Sequence, residues 1–445
     1  MLRRNYRGML VFLVMLDLLV MTSVAAEPAS FMVGRAQECI TPPLGVGLAG
    51  YFHVREAKSV RDDLYASAVV VDNGEMCVAL VSCDLICMTE GISDAAKAMI
   101  ESETGIPAAH VMVCATHTHT GPELRENVAI PRDEEWVSAL PSHIANAVTK
   151  ANAAKVSATL HVGKTVAREY SFNRLFRLED GSEVFGKRGG DKDVLGLAGP
   201  IDPELQTLSA RDSEGRLIAL LVNFALHPDV IGGGKADFIS TDWPGLLGDV
   251  ISQVYGEEVV TLLLQGTCGD INHRTHAPTA LPTGGPKKAE QLGRALAGAA
   301  MVAMERAEPM EDAQFAVATE VLSIPYYTRD EAFFEEIEAL EKKENPSFFE
   351  KSLIKRGREW PYDGKMAAVP VQVLRIGALG LVAFPAEIFV RIGQEVKAWS
   401  SAPHTFVVEL ANARVSSYVP DPGQAERGAY GAKPILSRYL YANAG

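Results

Sequence analysis

Short apolar runs of strand length, alternating with helical patterns, constrain the fold of this chain more than any other feature. The runs "ASAVVVD" and "CVALVSCDL" flank Asn73 and Gly74, a pair typical of a tight hairpin turn. Two later runs, "LIALLVNFA" and "VVTLLLQG", are apolar throughout, as in strands buried on both faces. "VQVLRIG" and "LGLVAFP" predict a further hairpin near the end of the chain. The sequence therefore predicts a mixed α/β fold with both hairpins and crossover connections.

Helical patterns between these runs predict the layers that cover the sheets. In "ISDAAKAMIESETG" we expect Ser93 to cap the helix and Gly105 to end it. A second helical pattern passes through Pro141, which predicts a broken or kinked helix. Hydrophobic residues make up 47% of the 445 residues, enough for a large core. We therefore expect an α/β/β/α sandwich, with mixed β-sheets covered by helices, in a single large domain over residues 27–445.

The first 26 residues have the layout of a secretory signal peptide. Three arginines precede the apolar run "MLVFLVMLDLLVMTSV", and small residues follow it up to Ala26. A membrane anchor is the alternative, but a run of about 16 residues that contains Asp17 is short for a bilayer span. We expect export after cleavage near Ala26, without a prediction of periplasmic or extracellular location.

Charge and cysteine usage exclude some classes of function. The net charge of −14 argues against a nucleic-acid-binding surface, which needs a basic face. The six cysteines include no C-x-x-C pair and lie mainly in apolar runs, so we expect buried free thiols for most of them.

Two histidines follow one of the apolar runs directly. In "VMVCATHTHTGPEL", His117 and His119 are separated by one residue, and on a strand such residues point to the same side. Their imidazoles would then face one pocket at the carboxyl end of a strand, where α/β sheets usually place their chemistry. An ordinary pair of hydrogen-bonded histidines is the alternative.

Three more apolar runs end in ionisable or polar side chains. "LVNFALHPDV" ends in His227, "LLLQGTCGDINHR" in Asp270, Asn272 and His273, and "LVAFPAEIFVRIG" carries Glu387 in the first turn of an expected helix. Singly, His227 could be a core residue, Asp270 a helix cap and Glu387 a charge favoured at a helix N-terminus. Together they fit a catalytic zinc site, which uses three nitrogen or oxygen ligands and keeps a position open for water.

Competing hydrolase classes have weaker support. The chain contains no G-x-S-x-G nucleophile elbow and no P-loop. "GDINH" is similar to the ligand-bearing turns of two-metal phosphoesterases, but the order of ligands along this chain does not match them.

"ATHTHTGP", "NFALHP" and "CGDIN", in this order, resemble the neutral/alkaline, non-lysosomal ceramidase family. "VGRAQECITPP", "LAGY" and "SCDL" are similar to earlier signatures of its catalytic N-terminal domain, and the resemblance runs from about Val33 to about Tyr430. The family's C-terminal immunoglobulin-like domain is not expected here. The resemblance implies a zinc-dependent amide hydrolase that acts on ceramide or a related N-acyl lipid.

The resemblance also implies roles for individual residues. The implied zinc ligands are His117, His227, Glu387 and Tyr418. Glu387 would also accept a proton, and the groups implied to contact the reacting amide are His119, Arg174 and Tyr430. Asp270 and Asn272 are expected to bind substrate.

One motif departs from the family. Ceramidases have "GDVSPN", whereas here Asn272 replaces the serine and "HR" replaces the following "PN". We expect Asn272 to change which substrates the pocket accepts. Two alternatives stay open: a non-catalytic zinc-bearing or lipid-binding relative, and a metallohydrolase that acts on esters or non-sphingolipid amides. Whether the protein contacts a membrane peripherally also stays open.

Overall fold

A computed structural model describes residues 29–126, 130–187, 191–232, 234–274 and 283–441. The expected signal peptide, residues 1–26, lies outside the described residues. Across the described ranges, no helix is both long enough and apolar enough to cross a membrane.

Helices and strands follow one another along the whole described chain. The helices are α1 (Glu90–Thr104), α2 (Glu134–Ala153), α3 (Trp243–Tyr255), α4 (Pro286–Glu305), α5 (Glu331–Glu341), α6 (Phe348–Glu359), α7 (Val390–Trp399) and α8 (Pro422–Glu426). The strands are β1 (Ser30–Cys39), β2 (Ser59–Val60), β3 (Tyr65–Asp72), β4 (Cys77–Cys83), β5 (Val111–Ala115), β6 (Val156–Val166), β7 (Phe172–Asn173), β8 (Leu175–Leu178), β9 (Glu183–Phe185), β10 (Val194–Leu197), β11 (Glu204–Asp212), β12 (Leu217–Phe224), β13 (Phe238–Ile239), β14 (Val260–Gln265), β15 (Ile271–Asn272), β16 (Glu308–Pro309), β17 (Phe315–Pro325), β18 (Met366–Ile376), β19 (Leu379–Ala383), β20 (Glu387–Ile388), β21 (His404–Val408) and β22 (Tyr418–Val419).

Two mixed β-sheets form the centre of the fold. The larger has the order β14-β12-β11-β6-β1-β3-β4-β5, with β16 paired to β6, and the smaller has the order β17-β18-β19-β21. Hairpin pairs are antiparallel, whereas the pairs β4–β5, β12–β14 and β19–β21 are parallel. Both connection types that the sequence predicts are therefore present.

The sheets pack face to face over one apolar core. Val69, Leu80 and Met112 of the larger sheet belong to the same buried cluster as Leu381 and Phe406 of the smaller sheet. The pair α1–α2 covers one part of the larger sheet's outer face, and the pair α3–α4 covers another. Beyond the smaller sheet, α7 contacts β21. This arrangement confirms the expected layered α/β fold in a single domain.

Several local predictions can be compared with the structure. The hairpin at Asn73 and Gly74 joins β3 to β4, and Gly105 ends α1 with a φ of 75°. The predicted cap at Ser93 is wrong, because α1 begins one turn earlier and Ser93 is buried within it. Helix α2 is continuous through Pro141, so it is not broken there. The carboxylate of Asp133 caps α2 by accepting the backbone N–H of Trp136.

Free thiols are also as expected. All six cysteines are free, and Cys83, Cys87, Cys114 and Cys268 are buried.

Helix α2 lies so close to β1 that a side chain does not fit between them. Gly34 faces the backbone of Ala151, and a Cβ at Gly34 would overlap the carbonyl oxygen of Ala151. A backbone atom cannot move aside as a flexible side chain can. The close approach of α2 to β1 therefore requires that residue 34 has no side chain.

We predict that Gly34→Ala lowers the free energy of unfolding by about 3 kcal/mol, because the added methyl group pushes α2 away from β1. Urea unfolding followed by circular dichroism measures the change. Gly298→Ala is the matched control: no atom lies within 4 Å of its Cβ position in α4, so it should be neutral or stabilise by up to about 1 kcal/mol. Equal stability of the two variants would contradict the prediction.

Candidate functional site

The histidine pair lies just beyond the carboxyl end of β5. The strand ends at Ala115, and His117 has a φ of 71°, a left-handed conformation that residues other than glycine rarely adopt. The expected strand alternation therefore does not extend to these residues. The imidazoles nevertheless converge, with 3.3 Å between the Nε2 atoms of His117 and His119. The two rings therefore meet as expected, but a turn with a left-handed residue brings them together instead of strand alternation.

His227 brings a third imidazole to the same point. It follows β12, and its Nε2 lies 3.1 Å from the Nε2 atoms of both His117 and His119. Within the described residues, these three side chains form the one group of histidine, cysteine or acidic residues whose ligand atoms all lie within 4.8 Å of one another. Segments that follow two strands of the larger sheet, β5 and β12, thus contribute to one cluster.

The spacing of the three nitrogens fits a metal ion. Zinc binds imidazole nitrogen at about 2.0–2.1 Å in tetrahedral sites, which places neighbouring ligand nitrogens about 3.3 Å apart. Burial lowers the pKa of His227 to about 3, and His117 adds to the effect. Burial and both neighbours also lower the pKa of His119 far below its usual value. Neutral imidazoles are the form that binds metals.

Hydrogen bonds at the opposite ring nitrogen distinguish the three histidines. Nδ1 of His117 donates to the carbonyl of Ile86 at 2.6 Å, and Nδ1 of His227 donates to the carbonyl of Cys268 at 3.3 Å. These bonds keep Nε2 unprotonated, as is usual for metal-binding histidines. Nδ1 of His119 is buried and has no hydrogen-bond partner within the described residues. Because a buried N–H without an acceptor is costly, the proton on His119 is favoured at Nε2.

Glu387 lies beside the imidazole cluster, but not in a helix. The expectation that it occupies the first turn of a helix is wrong: it lies in β20, and α7 begins three residues later at Val390. Its Oε2 is 3.4 Å from Nε2 of His117. Burial alone would raise the pKa of Glu387, but the attraction of His117 and His227 and a hydrogen bond from Tyr418 outweigh it and lower the pKa. The side chain is therefore a carboxylate.

Arg174, Tyr418 and Tyr430 form a second cluster next to Glu387. Strand β22 pairs with β20 so that Tyr418 is opposite Glu387. Arg174 donates from Nη2 to the hydroxyl of Tyr418 at 3.2 Å, and its guanidinium carbon lies 4.9 Å from the ring centre of Tyr430. Burial and the charge of Glu387 raise the pKa of Tyr418 well above its usual value. The cluster thus presents a guanidinium and two phenols beside a carboxylate.

The two expected substrate-binding residues have other partners. Asp270 is fully buried, and its carboxylate accepts the backbone N–H of Val390 at 2.8 Å and the amide of Asn173 at 2.7 Å. It therefore caps α7, which was the alternative to a site role. Asn272 donates to both carboxylate oxygens of Asp229 at 3.2 Å.

Three residues of the site were not predicted from the sequence. Asp229 follows His227 by two residues in the quoted "LHPDV", and the ring of Tyr51 in "LAGY" packs edge-on against His119 at 5.5 Å. Glu409 directly follows β21 in "HTFVVEL", a further apolar run with an ionisable end. Its Oε2 accepts the backbone N–H of Ile388 at 2.7 Å, and burial raises its pKa well above its usual value. The strand-end pattern that identified His227 could also have identified Glu409.

Fold and site together define a layered α/β/β/α protein with a buried histidine cluster in which a metal ion could be held. The particular fold is that of neutral ceramidase. The structure is similar to that of neutral ceramidase from Pseudomonas aeruginosa, with a TM-score of 0.73, 20% sequence identity, and 92% of this chain and 71% of that chain covered. A ceramidase complexed with C2 matches with a TM-score of 0.72, 18% identity, and 92% and 72% of the two chains covered.

The likeness at the level of sequence is much weaker. A scan against protein-family models found no match, and a search of curated proteins found none either. The fold likeness therefore rests on the arrangement of the chain in space.

We predict that His117→Ala and His227→Ala each weaken zinc binding by at least about 100-fold, because each removes an oriented ligand. His119→Ala should weaken it by less than about 10-fold, because its proton is favoured at Nε2. Competition with a zinc-chelating dye measures the affinities. His161→Ala is the control, since His161 is on β6 and hydrogen-bonds Thr159 outside the cluster. Equal losses for all three cluster variants would mean that His119 is a ligand too.

Proposed function

We propose that this protein is an exported, zinc-dependent hydrolase that cleaves the amide bond of N-acyl lipids. One observation carries the proposal: three buried imidazoles and the carboxylate of Glu387 meet beside a guanidinium and two phenols. The neutral-ceramidase fold supports it, because both solved structures compared above are ceramidases. The order of the motifs along the chain supports it as well.

The residues present fit a divalent cation. His117 and His227 have Nε2 oriented by backbone carbonyls, and Glu387 supplies an ionised carboxylate. Tyr418, hydrogen-bonded to Glu387, would complete the set, since a nearby cation favours the phenolate. A divalent cation held there would polarise a carbonyl group and make water a better nucleophile at neutral pH.

The remaining groups suit amide cleavage. The guanidinium of Arg174, whose Nε has no hydrogen-bond partner within the described residues, and the phenol of Tyr430 can donate hydrogen bonds to the negative charge that develops on the amide oxygen, usually the largest electrostatic contribution to catalysis. Glu387 can accept a proton at Oε2 from the attacking water. The amine must leave with a proton, and Glu387 can pass on the one that it takes from the water, while the Nε2–H of His119 donates a hydrogen bond to the reacting amide.

An N-acyl lipid suits the surroundings of the site. Phe185 lies against the ring of Tyr430 at 5.3 Å and is 48% exposed, so an apolar side chain borders the site on the solvent side. Leu195 and Leu197, on β10 of the same three-stranded sheet, are exposed too. We propose that the acyl chain contacts this surface, and that the protein acts at a membrane or on dispersed lipid outside the cytoplasm.

The test is release of fatty acid from N-acyl amines by purified, zinc-loaded protein, measured by mass spectrometry. Ceramides of different chain length, N-acyl ethanolamines and matched esters form the substrate panel. We expect amide hydrolysis that is lost with a chelator, restored by zinc, and absent in His117→Ala. Binding without turnover would instead indicate a non-catalytic relative, and cleavage confined to esters would overturn the amide assignment.

We predict that Tyr430→Phe lowers kcat by about 100- to 1000-fold with little change in KM, because the phenol donates mainly to the transition state. Initial rates over a range of substrate concentrations measure both constants. Tyr362→Phe, in the segment that precedes β18, is a control with the same chemical change and should behave as wild type. A rise in KM at unchanged kcat would place Tyr430 in ground-state binding instead.

A further inference from the structure

The ring of His119 is held in a different way from the two other imidazoles of the cluster. Backbone carbonyls bond to Nδ1 of His117 and of His227, whereas Nδ1 of His119 is buried and has no hydrogen-bond partner within the described residues. No hydrogen bond on that side of the ring therefore limits its rotation. Packing has to fix the direction in which Nε2 of His119 points.

Two residues of the loop that follows β1 pack against the His119 ring. The backbone of Gly50 comes so close that a Cβ at residue 50 would lie 2.5 Å from Nδ1 of His119. The ring of Tyr51 contacts the His119 ring edge-on, with 5.5 Å between the ring centres and an angle of 75° between the ring planes. These contacts determine the orientation of the imidazole only as long as the loop itself stays in place.

Arg55 ties this loop to His119. Its Nη2 atom donates hydrogen bonds to the backbone carbonyls of Ala49 and of His119, the second at 2.7 Å, and its Nη1 atom donates to the carbonyl of Ala236 at 3.2 Å. The guanidinium carbon lies 4.6 Å from the ring centre of Tyr51, within the range of a cation–π interaction. One side chain therefore joins the loop, the histidine and the segment around Ala236.

The surroundings of Arg55 show that its charge does not serve an ion pair. The residue is 6% exposed, and its hydrogen-bond acceptors among the described residues are backbone carbonyls. Burial lowers the pKa of Arg55, and the group that counteracts this effect is Tyr51, not a carboxylate. A buried cation without a counter-ion is costly, and an apolar side chain would fill the same space at a lower cost. The hydrogen bonds of the guanidinium are therefore what this position requires.

We propose that Arg55 is the positioning residue for His119: by holding residues 49–51 against the imidazole, it directs Nε2 of His119 at the reacting amide. This inference rests on the proposed function, in which His119 donates a hydrogen bond to that amide. The backbone N–H of His119 donates to the carbonyl of Pro228 at 3.1 Å, so both backbone groups of the histidine are bound and the ring is the part that has to be oriented. Displacement of such a group lowers the rate by about 10- to 100-fold.

The test is a double-mutant cycle on the zinc-loaded protein, with an N-acyl amine that wild type hydrolyses. We expect Arg55→Met to lower kcat by about 10- to 100-fold while KM changes by less than about threefold. In the His119→Ala background, the same substitution should lower kcat by less than about twofold, because the group that Arg55 orients is already absent. Equal factors in both backgrounds would overturn the inference, since a merely structural residue would give them.

Arg438→Met is the matched control. Arg438 is also 6% exposed, donates to the backbone carbonyls of Ala432 and Leu440, each at 2.9 Å, and lies 5.9 Å from the ring centre of Tyr327. The substitution removes the same kinds of interaction without a contact to His119, so its effect on kcat should be the same with and without His119→Ala. Non-additivity in this control as well would overturn the inference.

A second readout does not depend on turnover. In zinc-loaded protein with isotope-labelled histidines, two-bond nitrogen–proton correlation spectra report which ring nitrogen of His119 carries the proton, and His119→Ala assigns the signals by their loss. We expect one tautomer, protonated at Nε2, in wild type and a mixture of tautomers in Arg55→Met, because a mobile ring lets water reach Nδ1. Unchanged His119 signals in Arg55→Met would overturn the inference.

The outcomes separate this inference from the proposed function. Absence of hydrolysis of every amide by wild type, together with a tautomer mixture in Arg55→Met, would overturn the proposed function but support the role of Arg55. A loss of zinc affinity of more than about tenfold in Arg55→Met would show that Arg55 supports the whole cluster and would overturn the inference. If Arg55→Met does not fold, Arg55→Lys enters the same cycle, because an ammonium group keeps the charge but cannot bond three carbonyls in the same geometry.

Discussion

The approach of three imidazoles to one buried point is the constraint on which the rest of the structure depends. Ring nitrogens 3.1–3.3 Å apart would repel one another as cations, and burial therefore keeps His119 and His227 neutral. Neutral rings then need their protons on defined nitrogens. Backbone carbonyls satisfy this requirement at His117 and His227, so the chain around the site must hold those carbonyls in place.

The segment after β21 supplies much of that support. Asn412 bonds to both backbone groups of Val113 in β5 and donates to the side chain of Gln372 in β18, so it ties the two sheets together beside the site. Leu410 and Asn412 both have positive φ, and such strain persists only where surrounding contacts determine it. Glu409 at the start of the segment holds Ile388 next to Glu387. The same few residues thus join the sheets and position the carboxylate.

The sequence predicts the elements of this fold better than the geometry of its site. The spacing of apolar residues and the residue types typical of turns are local properties of the sequence. They correctly identify the β3–β4 hairpin, the buried strands and the end of α1. The errors occur where tertiary contacts override local preference: α2 runs through Pro141, and Glu387 pairs as a strand instead of starting a helix. His117 shows the limit most clearly. Its left-handed backbone depends on neighbours from other segments, and no local pattern in the sequence specifies it.

The contacts that orient the histidine cluster are separate from those made by Asn272 and His273, two positions that depart from the ceramidase motif. The imidazoles and Glu387 are held by backbone carbonyls and by Glu409, and none of these contacts involves Asn272 or His273. Asn272 and His273 instead bond to the carboxylate of Asp229. Changes at these two positions would therefore leave the orientation of the His117 and His227 rings unaffected, because the hydrogen bonds that fix both rings come from backbone carbonyls elsewhere.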